Sequence, residues 1–151
     1  MSGGMETLAN ATVGELSPRP HAKVEVGDPM WKVVGEMKTK GRGAVLIEEE
    51  GTLVGIFTER DLLNRIDYSD QLWSHVQVQD VMTPMPMVIR SDDTLSEALR
   101  RLTQGRRRHL PIVDYRGHVL GLISIRDILT YIAERFPEDM MNLPPHPDHE
   151  S

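Results

Sequence analysis

The sequence predicts an α+β fold made of two copies of one unit, each running strand, helix, strand, strand, helix. Three observations carry that prediction. First, a nine-residue stretch occurs twice: Gly55-Ile56-Phe57-Thr58-Glu59-Arg60-Asp61-Leu62-Leu63, and 66 positions later Gly121-Leu122-Ile123-Ser124-Ile125-Arg126-Asp127-Ile128-Leu129. Each copy begins as a hydrophobic strand, passes a hydroxyl residue and enters a helix with Arg-Asp in its first turn; such a repeat governs the architecture before any local reading. Second, the elements around the two copies follow the same order, offset by 65 through the first helix and by 66 after the next turn. Third, each half is only about 55 residues, a marginal size for folding alone. Two halves packed face to face around a shared core are expected.

Composition narrows the function classes. A chain of 151 residues suits one domain or two small intimate ones. Hydrophobic content of 39% and charged content of 26% are those of an ordinary globular protein. The net charge of −6 weighs against nucleic-acid binding, whose footprint is usually basic. There are 0 cysteines, which removes disulfides, thiolate metal sites and a cysteine nucleophile, and fits a reducing cytoplasm. No apolar run approaches the roughly 18 residues of a membrane span. Met1-Ser2-Gly3-Gly4-Met5 lacks the basic and apolar regions of a signal peptide.

In chain order, residues 1–11 show little periodicity and are expected to fray. Thr12 to Leu16 read as a short helical turn, and Pro18 and Pro20 force extended backbone. Ala22-Lys23-Val24-Glu25-Val26 alternates as a half-buried strand does. Gly27-Asp28-Pro29 is a helix start, with a capping Asp before proline. Met30, Val33, Val34 and Met37 then form one apolar helix face, which Gly41 and Gly43 end. Ala44 to Ile47 is a strand, Glu48 to Gly51 a polar turn, Thr52 to Phe57 the partner strand. Glu59 to Ile66 is the second helix, with Leu62, Leu63 and Ile66 expected inward.

Residues 67–77 join the halves, with Trp73 as the expected anchor. The order then returns. Val78 to Met82 matches Val13 to Ser17, and Pro84 and Pro86 stand within one position of Pro18 and Pro20. Met87 to Arg90 is the short strand. Asp92-Asp93-Thr94 starts a helix with Leu95, Ala98, Leu99 and Leu102 on one face. Gly105 to Arg108 is a turn, Leu110 to Val113 and His118 to Ile123 are strands, and Ile125 to Arg135 is the last helix, stopped by Pro137. The expected organisation is a flexible N-terminus over 1–11, a first motif over 12–66, a linker over 67–77, a second motif over 78–133 and a mobile, proline-rich tail over 134–151.

The repeated stretch carries the chemistry. A hydroxyl at the mouth of a strand, followed by a helix, sets an O–H beside backbone N–H groups at a helix N-terminus, which suits phosphate. An Asp three residues later sits on the first turn, where a carboxylate accepts both hydrogen bonds of a ribose diol, as acidic residues do in other nucleotide folds. Arg60 and Arg126 stand one position before Asp61 and Asp127 and offer charge to phosphate. The same Thr58-x-x-Asp61 and Ser124-x-x-Asp127 spacing matches a capping box with Asp in the acidic place. Both readings stand on the residues alone, and capping is a role these residues can serve when nothing is bound.

Asp80-Val81-Met82-Thr83-Pro84, Asp92-Asp93-Thr94-Leu95, Arg108-His109-Leu110-Pro111-Ile112-Val113-Asp114 and Gly121-Leu122-Ile123-Ser124-Ile125-Arg126-Asp127 strongly resemble a CBS motif. The first half resembles one through Gly55-Ile56-Phe57-Thr58-Glu59-Arg60-Asp61, and the whole is similar to a tandem CBS pair, or Bateman module, over about residues 12 to 133. The resemblance implies two sheet-and-helix halves packed by their sheets about a pseudo-twofold axis. It implies an adenosine ligand in the clefts between them: AMP, ADP or ATP, with S-adenosylmethionine or NAD as alternatives. It also implies pairing into a homodimeric four-motif disc, a regulatory rather than enzymatic role, and a regulated protein partner outside this chain.

By the same resemblance, Asp61 with Thr58 faces Thr83, Met87, Val88, Arg108 and His109, with Arg107 nearby. Asp127 with Ser124 faces Ala22, Lys23 and the Gly41 to Ala44 turn, Gly43 included. Arg106-Arg107-Arg108-His109 is either a phosphate-binding feature or a solvated helix end that satisfies the dipole. The Asp127 side holds only Lys23 and Arg42, and so suits a less charged ligand or none. Two departures fall on the segments lining it. Ala44 to Ile47 lacks a counterpart of Pro111, and Ser17-Pro18-Arg19-Pro20 matches Met82-Thr83-Pro84 poorly. Of the six histidines, His21, His75, His109 and His118 have no ligand-like spacing, and His146, Asp148 and His149 lie in the tail, so no metal site is expected. Met140-Met141 is a candidate cover for a dimer surface. No Ser or Thr has an accompanying His and acid that would mark nucleophilic catalysis.

Overall fold

The computed structural model describes residues 3–16, 21–40, 43–84, 86–105 and 107–135. The expectations for Pro18, Pro20, Gly41, Arg42, Arg106, Pro137 and the 136–151 part of the tail, with its Met140-Met141 pair and histidines, lie outside these residues. The described residues form two compact units: those within 19–87 and 113–121, and those within 1–18, 88–112 and 122–151. Each has its own apolar core, and together they give an α+β fold.

The first of these units holds a sheet in the order β1 (Ala22–Glu25), β2 (Ala44–Glu49), β3 (Thr52–Thr58), β4 (Thr83–Pro84). Strands β1 and β2 are parallel, and the other neighbours antiparallel. Alternation puts Ala22 and Val24 inside, as expected from β1's pattern. β2 is buried on both sides and reads as a continuous apolar run. The hairpin between β2 and β3 turns at Glu50 (φ 52°) and Gly51 (φ 82°), the two positive φ values a tight primed turn requires. Helix α2 (Met30–Lys40) buries Met30, Val33 and Met37 against this sheet, with Val34 at the edge. Asp28 Oδ2 accepts from Glu25 N at 2.8 Å and takes Lys32 Nζ at 3.2 Å, so the Asp expected as a helix cap closes the strand-to-helix turn.

Helix α3 (Glu59–Asn64) is shorter than the pattern suggests. Leu62 and Ile66 face the core, but Leu63 is 80% exposed, a correction to the inward reading. The helix ends at Asn64, so Ile66 reaches the core from the chain beyond it, and Leu63, about 100° round the helix from Leu62, is left to solvent. Trp73 packs against the core as an anchor, edge-on to Tyr68 at 5.1 Å between centroids.

The other unit holds the sheet β5 (Ile89–Arg90), β6 (His109–Val113), β7 (Val119–Ser124), whose β6–β7 tip belongs to the first-described unit. Of the strand expected over Met87 to Arg90, Ile89 and Arg90 alone are paired. Helix α4 (Leu95–Gln104) is capped by Thr94, whose Oγ1 accepts from Glu97 N at 3.1 Å, and buries Leu95, Ala98 and Leu102. Helix α5 (Ile125–Arg135) buries Ile128, Tyr131 and Ile132. Where the sequence suggests little order, helix α1 (Gly3–Asn10) forms, meets α4 and rests Leu8 on the core.

The lead segments of the two repeats are exchanged. Val13 N donates to Asp93 O, Gly14 N to Ser91 O, and Leu95 N to Ala11 O, at 2.8, 2.8 and 3.0 Å. The counterparts, each residue exchanged for its equivalent 65 positions away in the other repeat, are Val78 N to Asp28 O, Gln79 N to Val26 O, and Met30 N to Val76 O, at 2.9, 3.2 and 2.9 Å. Bridges at Thr12↔Thr94 and Pro29↔Gln77 complete the correspondence. Each repeat's opening turn therefore docks at the helix start of the other. Val13 and Val78 are the side chains it buries, at 1% and 0% exposure.

Candidate functional site

The repeated stretch folds in both copies as a strand that stops at a hydroxyl and turns directly into a helix. Thr58 is extended (φ −116°, ψ 169°), which aims its N–H and side chain at the helix that follows. Thr58 N donates to Asp61 Oδ2 at 3.0 Å, and Asp61 N donates to Thr58 Oγ1 at 3.3 Å. At the second junction Ser124 N donates to Asp127 Oδ2 at 2.8 Å, Ser124 Oγ lies 3.2 Å from that oxygen, and Asp127 N donates to Ser124 Oγ at 3.3 Å. Reciprocal capping is thus formed at both junctions.

Three backbone donors at the first junction are already engaged. Glu59 N donates to Gly43 O at 3.0 Å, alongside the Thr58 and Asp61 N–H bonds. Gly43 has φ +73°, and a Cβ built there would lie 3.0 Å from Glu59 Oε1, so the Glu59 carboxylate lies over the turn. Thr83 pairs with Ile56, two residues before Thr58, in the β3–β4 ladder.

Sequence reasoning missed Arg65. Its Nε lies 3.3 Å from Asp61 Oδ1, and its Nη1 donates to Val81 O and Met82 O at 3.4 and 3.1 Å. The signal was present, since Asp and Arg at i, i+4 pair on a helix. The corresponding residue of the second repeat is Tyr131. Its hydroxyl donates to Glu15 Oε1 at 3.2 Å, and Arg135 stacks over its ring at 3.8 Å. Thr12 N also donates to Glu15 Oε2 at 2.8 Å, and this bond and the one from Tyr131 hold the Glu15 carboxyl below the ordinary range.

The remaining candidates divide between the units. Ala22, Lys23, Gly43, Thr58, Arg60, Asp61, Thr83 and Met87 lie in one; Val88, Arg107, Arg108, His109, Ser124, Arg126 and Asp127 lie in the other. Ala22 is sealed in the core, so it has only backbone to offer a ligand. Lys23, Arg60, Met87, Arg108 and Arg126 are exposed. Arg107 lies against Gly105, and its Nε is buried with no hydrogen-bond partner among the described residues. Val88 O accepts from Arg101 Nη1 at 2.5 Å. Among the described residues no group of three or more His, Asp or Glu is arranged to hold a metal, and no helix is long and apolar enough to cross a membrane.

Two α+β repeats with matching strand–hydroxyl–helix junctions define a paired module. The chain belongs to the CBS domain family, whose model matches residues 13–68 and 78–134. An uncharacterized protein of Methanopyrus kandleri is 27% identical over 137 residues, spanning 88% of this chain and 70% of that protein. Inosine-5'-monophosphate dehydrogenase of Mycobacterium tuberculosis is 35% identical over 88 residues, 58% of this chain but 16% of the enzyme's length. Among solved structures, CBSX2 in complex with AMP is 25% identical with a TM-score of 0.69, covering 82% of this chain and 97% of its own. CBSX2 is a CBS-pair protein of Arabidopsis thaliana.

Proposed function

We propose that this CBS pair is a non-enzymatic regulatory module that binds an adenosine nucleotide (AMP, ADP or ATP) and signals by a conformational change to a partner protein. The observation that carries the reading is the twofold occurrence of a hydroxyl and a carboxylate at the same strand-to-helix junction. The AMP complex of CBSX2, a relative of similar length and fold, supports the choice of ligand. Asp61 and Asp127 are the proposed ribose acceptors; Thr58, Thr83, Ser124 and the cations Arg60, Arg107, Arg108 and Arg126 are the proposed polar surroundings. Homodimerisation and a cytoplasmic setting belong to the same proposal. For signalling, the nucleotide must bind two conformations with different affinity.

A second reading is favoured by the formed capping boxes: the two Asp residues serve as caps, and the chain acts through its surfaces as a structural module. Thermal unfolding with AMP, ADP, ATP, S-adenosylmethionine and NAD separates the two. A nucleotide at about 100 times its Kd stabilises by roughly 2.7 kcal/mol. Such a gain, lost in Asp61→Ala or Asp127→Ala, is the expected result. No shift with any of the five at millimolar concentration would leave the structural reading.

A further inference from the structure

We propose that Arg65 is a gate on the first junction, competing with the ribose diol for Asp61 and tying its release to the segment that leads into β4. The inference rests on the nucleotide reading above and adds a specificity-determining residue to it. Asp61 has two carboxylate oxygens, and both are engaged within the chain. Oδ2 accepts from Thr58 N at 3.0 Å, and Oδ1 faces Arg65 Nε at 3.3 Å. A diol needs one acceptor position on each of those oxygens, and the O–H that reaches for Oδ1 meets the guanidinium where it now sits. Arg65 cannot yield to them without loss elsewhere, because its Nη1 also donates to Val81 O and Met82 O.

Those two carbonyls immediately precede Thr83, which pairs with Ile56 in the ladder beside Thr58. The ladder is short, with Gly55↔Pro84 and Ile56↔Thr83 as its register. Displacing Arg65 therefore loosens the attachment of residues 81–84 to the first repeat's second helix. Occupancy of Asp61 becomes a change in backbone freedom at one end of a sheet. The device is confined to one repeat, since the residue corresponding to Arg65 is Tyr131, held by Glu15.

The gate differs in sign from the ordinary expectation for an arginine near a phosphate ligand. An arginine that binds nucleotide weakens binding when removed; a competitor strengthens it. AMP and ATP are titrated calorimetrically into wild type, Arg65→Gln, Arg65→Lys and Arg65→Gln/Asp61→Asn. Removing this half-exposed ion pair is expected to tighten binding by up to about fivefold in Arg65→Gln. The gain should disappear when Asp61→Asn is added. Arg65→Lys keeps the charge without the fork that reaches Asp61 and the carbonyls at once, and is expected to fall between wild type and Arg65→Gln. Hydrogen exchange at Val81, Met82 and Thr83 should rise when nucleotide is added to wild type and be raised beforehand in Arg65→Gln. Nucleotide binding that is unchanged or weaker in Arg65→Gln, or a gain that persists with Asp61→Asn, overturns the gate and leaves the nucleotide reading intact. Binding to neither wild type nor Arg65→Gln overturns that reading, and the gate with it.

Discussion

Replacing Val13 with Ala should loosen the second repeat, although Val13 opens the first. Val13 is 1% exposed in a core formed with Ile89, Leu95, Ala98, Leu102 and Leu110. The substitution removes two buried carbon groups at about 0.8 kcal/mol each, or roughly 1.6 kcal/mol of transfer free energy. A residual cavity raises the cost to about 2 kcal/mol. At about 1.4 kcal/mol per tenfold, the opening equilibrium of the affected core rises by about 30-fold. Native-state hydrogen exchange read by mass spectrometry reports such openings segment by segment. Protection should fall over Leu95–Gln104 and Ile125–Arg135, and hold over Met30–Lys40. Val78→Ala, 0% exposed in the other core, should give the reciprocal pattern, with loss over Met30–Lys40 and Ala44–Thr58. If Val13→Ala instead deprotects Met30–Lys40 while sparing Leu95–Gln104, the exchange of lead segments is refuted.

Two further outcomes are expected. Glu97 is held to a pKa of about 2 by hydrogen bonds from Arg100 and Arg101. Its contribution to stability is therefore present above the ordinary value of 4.5 and is lost as pH falls from there towards about 2. Carboxyl NMR titration should find Glu97 protonating well below the other glutamates, and moving back towards 4.5 in Arg100→Gln/Arg101→Gln. Gly105→Ala should lower Tm, because a Cβ there meets Arg101 O and Arg107 Nε, each at 2.9 Å. The carbonyl is backbone and cannot swing away, so a cost of about 1–3 kcal/mol is expected. A Tm equal to wild type would show that the turn widens freely.

The junction chemistry was legible in the sequence because its signals are local. Thr58 and Asp61, or Ser124 and Asp127, meet through three residues of backbone, whatever the rest of the chain does. Arg65 was half legible. Its pairing with Asp61 follows from i, i+4 spacing, but its donation to Val81 O and Met82 O spans 16 and 17 residues. Leu63 was misread because apolarity at a helical position does not fix which side of a short helix meets the core.

By itself, then, the sequence determined the α+β class, the order of elements, the repeat and the paired hydroxyl–carboxylate junctions. Periodicity, capping and turn chemistry act over a few residues and are written in side-chain identity. Only the tertiary structure decided that the opening turns of the two repeats trade places, and that residues 3–10 become a helix resting on α4. The exchange of opening turns is anchored by backbone N–H and C=O groups, such as Leu95 N to Ala11 O. Every non-proline residue carries the same donor and acceptor, so no residue type marks which distant pair will meet.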